Sequence, residues 1–174
     1  FCLNIYRLSV SGFTISSSFV SCGLIFLSFF CFTMALEVPK YKTFTEITVR
    51  SWTLDLYGQV SNAKFLEFLE EARWNHFKGF FESGMFMDLG LAFMPVNINL
   101  NYSNPAHLGD ILDIETIISR IGEKSITLHQ QIIMRDSGEE IVEGEVTFVV
   151  KDMRKGIAMP IKGRLLDMFM RDLD

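Results

Sequence analysis

The chain has 174 residues, 49% of them hydrophobic, and a formal net charge of −5. That is material for about one ordinary domain with a core of its own. Charged residues at 21% and a mean hydropathy of +0.26 exclude disorder along the whole chain, and an isoelectric point near 5.2 argues against nucleic acid as the main partner.

The charge is unevenly spread. Residues 1–33 hold one charged side chain, Arg7, and all three cysteines, Cys2, Cys22 and Cys31. The apolar run 19–33 is long enough for the core of a signal peptide, but its serines dilute it as a membrane span, which needs about 20 strongly apolar residues. We expect residues 1–33 to stand outside the fold, as a non-native extension or as a signal or anchor, and residues 34–174 to form the domain. A membrane enters only if that leader is a real anchor. With the cysteines confined to it, the domain has no disulfide or cysteine metal site to offer, which suits a reducing, cytoplasmic setting.

Within the domain, residues 43–50 alternate as a half-buried strand. A polar and apolar loop, 52–60, contains Asp55 and Gly58. Residues 63–83 carry Phe65, Leu66, Leu69, Ala72, Phe77 and Phe80 at helical spacing, with Ser61 or Asn62 as N-cap and Gly84 to end the helix. At 1.5 Å per residue this helix spans about 30 Å. Four long strands follow. Residues 91–102 include Val96 to Tyr102, with asparagine at every other position; 111–121 and 124–135 flank a Gly122-Glu123 turn; 140–152 follow the turn at 136–139. An amphipathic helix, 162–173, closes the chain after Pro160. One long helix and a run of long antiparallel strands predict an α+β fold in which a curved sheet wraps the helix.

Signatures of common chemistries are mostly missing: no G-x-S-x-G, H-E-x-x-H, C-x-x-C or G-x-G-x-x-G occurs. His76, His107 and His129 fall on a helix, a loop and a strand, so no metal site is expected. What remains is Asp55 in a loop just before the main helix. There a carboxylate lies near unpaired backbone N–H groups and the positive end of the helix dipole, an arrangement able to stabilise a carbonyl oxygen that gains negative charge. The spacing alone equally permits Asp55 to be a turn aspartate and Asn62 a plain helix cap.

The run from Leu54-Asp55 through Gly58-Gln-Val-Ser-Asn62-Ala-Lys-Phe65 to Glu71-Ala-Arg-Trp74 resembles the opening of hotdog-fold acyl-CoA thioesterases of the 4-hydroxybenzoyl-CoA thioesterase superfamily. The later Val96-Asn-Ile-Asn-Leu-Asn-Tyr102, with Pro105-Ala106 and Gly109-Asp110, is similar to the bacterial long-chain acyl-CoA thioesterase III branch. The resemblance implies a hotdog fold and hydrolysis of a fatty acyl-CoA, long-chain in that branch, to the fatty acid and CoA. It places Asp55 on the catalytic carboxylate, as general base or nucleophile, and the backbone N–H groups of Asn62 and Ala63 on the thioester carbonyl. Lys124 and Ser125 fall where relatives hold CoA. No cofactor is implied, CoA being part of the substrate, and the assembly implied is a homodimer or homotetramer with sites at the subunit interface. Two departures stand out: Gln59 and Ser61 replace the family's usual His and first Asn, and Gly122 and Glu123 stand where relatives with a more basic hairpin have Arg.

For the acyl chain, Phe86, Met87, Phe93 and Met94 are the candidate pocket, with core packing the competing explanation. The face formed by Asn97, Asn99 and Asn101 reads either as a subunit contact or as a solvated sheet face. Two rival functions share parts of this pattern. Residues 104–110 are similar to the Asn-Pro-x-His-x-Asp element of hotdog enoyl-CoA hydratases, but they lie between strands rather than at the helix start. A non-catalytic acyl- or CoA-binding module would also keep the fold.

Overall fold

The computed structural model of the chain describes residues 41–170, so the apolar leader lies outside the described residues. The elements are β1 (Lys42–Thr48), α1 (Asn62–His76), α2 (Lys78–Glu82), α3 (Met85–Leu89), β2 (Leu91–Tyr102), β3 (Ile111–Ile121), β4 (Ser125–Met134), β5 (Glu140–Asp152), β6 (Ile157–Ala158) and α4 (Arg164–Met170). The strands form one antiparallel sheet in the order β1-β3-β4-β5-β2, with the short β6 against β5. Its long strands alternate as their sequences predict. Leu112 and Ile114 of β3 and Ile132 of β4 are buried against Phe65, Phe68, Leu69 and Ala72 of α1, Thr116 and Gln130 are buried on the same strands, and Ile118, Ile126 and Leu128 join a second cluster with Phe77 and Phe80. This is the hotdog arrangement, a helix held in the hollow of a curled sheet.

The helix itself departs from expectation. A single helix over 63–83 is replaced by α1 and α2, broken at Phe77, whose φ and ψ of −100° and 13° are not helical. No proline marks the break; packing makes it. Phe77 is buried and its ring meets those of Phe80, Phe93, Phe148 and Phe169 at centroid distances of 4.8 to 6.0 Å. Burying one such ring is worth about 1.5–3 kcal/mol, and the bonds from Phe77 N to the Arg73 carbonyl oxygen (3.1 Å) and from Phe81 N to the Phe77 carbonyl oxygen (3.3 Å) persist across the break. Gly84 then takes the left-handed conformation, φ 68°, between α2 and α3. The closing helix is likewise confined to Arg164–Met170 among the described residues.

Two polar fastenings fix how α1 sits. The fully buried amide of Gln130 donates to the Leu69 carbonyl oxygen (3.0 Å) and to Thr116 (3.0 Å), while its oxygen accepts from Arg73 (2.8 Å). At the end of α1, His76 Nδ1 and Thr43 Oγ1 are 2.8 Å apart, and Asn75 donates to Thr45. The helix is thereby tied to β1 at one end and to β4 at its middle.

The β2/β5 contact is tighter than an ordinary sheet: a Cβ at Gly144 would lie 2.2 Å from the Asn99 carbonyl oxygen. Gly144→Ala is expected to cost about 2 kcal/mol or more and to lower Tm by several degrees in a thermal melt, because the obstacle is backbone. Burial also pulls the His76 pKa down from 6.5 to about 4. The unfolded chain therefore binds a proton between those values that the native state refuses, and stability falls as pH drops from about 6.5 to 4, by about 3 kcal/mol. Urea titrations of His76→Phe across that window should show the slope flattened.

Candidate active site

The loop before α1 is a closed hairpin. Asp55 N donates to the Gln59 carbonyl oxygen (2.7 Å), Gly58 N donates back to the Asp55 carbonyl oxygen (3.2 Å), and Leu54 pairs with Val60. Gly58, at φ 75°, turns the chain. The Asp55 carboxylate caps its own turn: Oδ1 accepts from the N–H groups of Tyr57 (2.8 Å) and Gln59 (3.2 Å). The turn-aspartate reading of Asp55 is what these bonds show. The turn holds the carboxyl group, and Oδ2 keeps no hydrogen-bond partner among the described residues.

The helix starts seven residues on. Ser61 is the N-cap, its Oγ accepting from Lys64 N at 3.4 Å, and its own N–H donates to the Thr53 carbonyl oxygen. Val60 N is held by the Ala106 carbonyl oxygen, and Gln59 bridges to His107. Asn62 and Ala63 therefore occupy the first helical positions, where backbone N–H groups have no intrahelical acceptor. Beside them opens a cavity of about 230 Å³ lined by Gln59, Asn62, Phe65, Tyr102 and Asn104, among others. The Tyr102 hydroxyl donates to the Asn62 carbonyl oxygen (3.4 Å) and its ring meets Phe65 at 6.0 Å. Asp55 is exposed at the turn next to this cavity rather than within its lining.

A second cavity, about 70 Å³, lies between the far half of α1 and the β2/β5 side of the sheet. Its lining includes Arg73, Trp74, Phe77, Phe81, Phe93 and Phe148. Desolvation lowers the Arg73 pKa, with Glu70 opposing it.

The residues expected at the site divide accordingly. Asn62 and Ala63 begin α1 and Asn62 lines the larger cavity, whereas Asp55 lies exposed on the preceding turn, of which Gln59 rather than Asp55 is in the lining. Lys124 and Ser125 do not join them in one chain: they occupy the β3/β4 turn, and β3, eleven residues long, separates that turn from the Asp55 end by roughly 35 Å. Of the expected acyl pocket, Phe93 lines the smaller cavity and Phe86 is buried against it, with ring centroids 4.7 Å apart. Met87 and Met94 are not in the lining. Met87 is 78% exposed on the one-turn α3, and Met94, paired with Val149, points to the sheet's other face. A register shift between Pro95 and Asn97 is the reason: the inward parity of Ile98 and Leu100 does not extend back to Met94. Trp74, Phe81 and Phe148 were missed in its place, as were Tyr102 and Asn104 in the polar cavity; the end of the alternating strand was the available signal for Tyr102. Among the described residues no group of three His, Cys, Asp or Glu side chains converges as a metal site, and no helix is long and apolar enough to cross a membrane.

Residues 49–171 match the family model described as the thioesterase-like superfamily. The chain is 38% identical over 121 residues to the long-chain acyl-CoA thioesterase FadM of Escherichia coli K12, covering 70% of this chain and 92% of that protein. The crystal structure of YbaW, a probable thioesterase from Escherichia coli, superposes with a TM-score of 0.69 at 36% identity, covering 73% of this chain and 96% of that one. SAV2348 from Staphylococcus aureus, solved in complex with CoA, superposes with a TM-score of 0.68 at 14% identity over 75% of this chain and 83% of its own, a likeness of fold alone.

Proposed function

The chain belongs to the thioesterase-like superfamily, and from that footing we propose that it hydrolyses fatty acyl-CoA thioesters to the free acid and CoA, with Asp55 as the catalytic carboxylate. One observation carries this reading: a carboxylate is held by its own turn, through the N–H groups of Tyr57 and Gln59, seven residues before α1 begins, and Gln59 of that turn lines one cavity together with Asn62 of the first helical turn. The thioester carbonyl oxygen accepts from those N–H groups, and the charge that develops on it is met by fixed dipoles. Asp55 Oδ2 then either takes a proton from the attacking water or attacks the carbonyl carbon itself, expelling the CoA thiolate and leaving an anhydride for water to cleave. The FadM likeness favours long chains as substrate.

Supporting a shared site is the state of β2. It is an edge strand twelve residues long whose outer edge has no partner among the described residues, and Val96, Ile98 and Tyr102 on it are 60%, 44% and 45% exposed. Such an edge invites pairing with a second copy. Two-fold pairing would set the Met94 end of one β2 beside the Tyr102 end of the other. Ser125 pairs with Val149, and Val149 with Met94, so the Lys124-Ser125 turn of one copy would be carried toward the Asn62 end of its mate, within reach of the CoA moiety. The active unit in this reading is at least a homodimer. The hydratase reading has less support, since residues 104–110 form the loop behind Val60 and Gln59 rather than a helix start.

Release of free thiol from palmitoyl-CoA tests the assignment. Asp55→Asn should lower kcat by about 10²-fold or more with the thermal melt unchanged; an unaltered rate removes Asp55 from the chemistry. Val96→Lys, placed on the exposed edge at the residue outside the ladder, should convert a dimer to monomers by light scattering and abolish turnover with it.

A further inference from the structure

The two cavities share a pair of walls. Each draws residues from α1 and from β2, which run in opposite directions, so that Phe65 faces Tyr102 at one end and Phe77 faces Phe93 at the other. α1 leans toward β1 and β3, where Asn75 and His76 are hydrogen-bonded to Thr45 and Thr43. Between the two cavities β2 presents Leu100, half-buried and packed against the core that includes Phe65 and Phe68, and Ile98, 44% exposed. The eleven helical steps from Asn62 to Arg73 set the two cavities about 17 Å apart along α1, the reach of an extended acyl chain of about a dozen carbons.

What waits at its far end is not purely apolar. The guanidinium of Arg73 lines the cavity among Trp74, Phe77, Phe81, Phe93 and Phe148. It cannot readily swing out, because Nη1 is held by Gln130, which is fully buried and anchored in turn on Leu69 and Thr116. Among the described residues no other hydrogen bond or ion pair engages it, although Glu70 shares the rim. Among the described residues no buried side-chain nitrogen lacks a partner, so the remaining Arg73 donors keep accessible surface; an alkyl tail that displaced water from them would leave them unpaired, whereas an oxygen on the tail would replace it.

Resting on the thioesterase reading above, we propose that the acyl chain runs in a groove between α1 and β2 from Asn62 to the aromatic cavity, and that Arg73 there selects chains bearing a hydroxyl or carbonyl oxygen about a dozen carbons from the thioester.

Thiol release from hexanoyl-CoA, dodecanoyl-CoA and 12-hydroxydodecanoyl-CoA tests this on the full chain. The wild type should favour the hydroxylated chain over dodecanoyl-CoA by about tenfold in kcat/KM, the worth of one net hydrogen bond, and Arg73→Met should bring that ratio to about one. Equal rates in the wild type, or a preference that survives in Arg73→Met, would overturn the selection. Phe81→Trp, which fills the cavity without touching Gln130, should cut kcat/KM for both twelve-carbon substrates about tenfold relative to hexanoyl-CoA; an unchanged ratio overturns the groove. Should hexanoyl-CoA be cleaved without either discrimination, only this inference fails, whereas an enzyme inert toward all three sinks the thioesterase reading and this inference together.

Discussion

The amide of Gln130 sits where the helix crosses the sheet, and it is hydrogen-bonded in both senses: two donations, to the Leu69 carbonyl oxygen and Thr116, and one acceptance, from Arg73. Apolar contacts around it, Leu69, Ala72, Leu128 and Ile132, supply burial but do not single out one rotation or one axial position of α1. The amide does, since any slide or roll leaves buried polar groups without partners. From that setting follow the direction of the first-turn N–H groups, the seat of Arg73 in its aromatic cavity, and the open side facing β2.

Much of this was written in the amino acids where local rules govern. The strand over 91–102 and that over 140–152 have the bounds their alternation predicts, and the Asp55 loop and Ser61 cap lie where punctuation by Gly58 and the apolar stripe of α1 put them. Legibility ended where the deciding partner was distant in sequence. Phe77 has ordinary helical neighbours; its break comes from Phe93, Phe148 and Phe169. Lys124 sits in a turn easily read from sequence, yet its distance from Asp55 depends on strand order, which no local pattern states. Of the two β2 residues expected in the acyl pocket, Phe93 lines the smaller cavity and Met94 does not, for a smaller reason, a single change of parity at Pro95.

Chemistry and assembly are joined through one strand. β2 walls both cavities, hands a tyrosine hydroxyl to the Asn62 carbonyl oxygen and presents the unpaired edge. Its neighbour β5 reaches it closely because Gly144 has no side chain, so the strand that meets the outside is also the one held with least slack. Motion at that edge would be felt at the start of α1.

The irregularity at Val96 has an effect far beyond its size. Ahead of it, Phe93 and Pro95 lie against the partners Val150 and Phe148 on the inner surface; past it, the odd-numbered positions Asn97, Asn99 and Asn101 instead meet Thr147, Glu145 and Glu143 on the outer one. One inserted residue thus works as a frame change in space, letting an aromatic lining and an amide-bearing exterior be written consecutively along a single ribbon. Were Val96 paired regularly instead, every amide downstream would turn into the oil while the isoleucine and leucine between them came out to water.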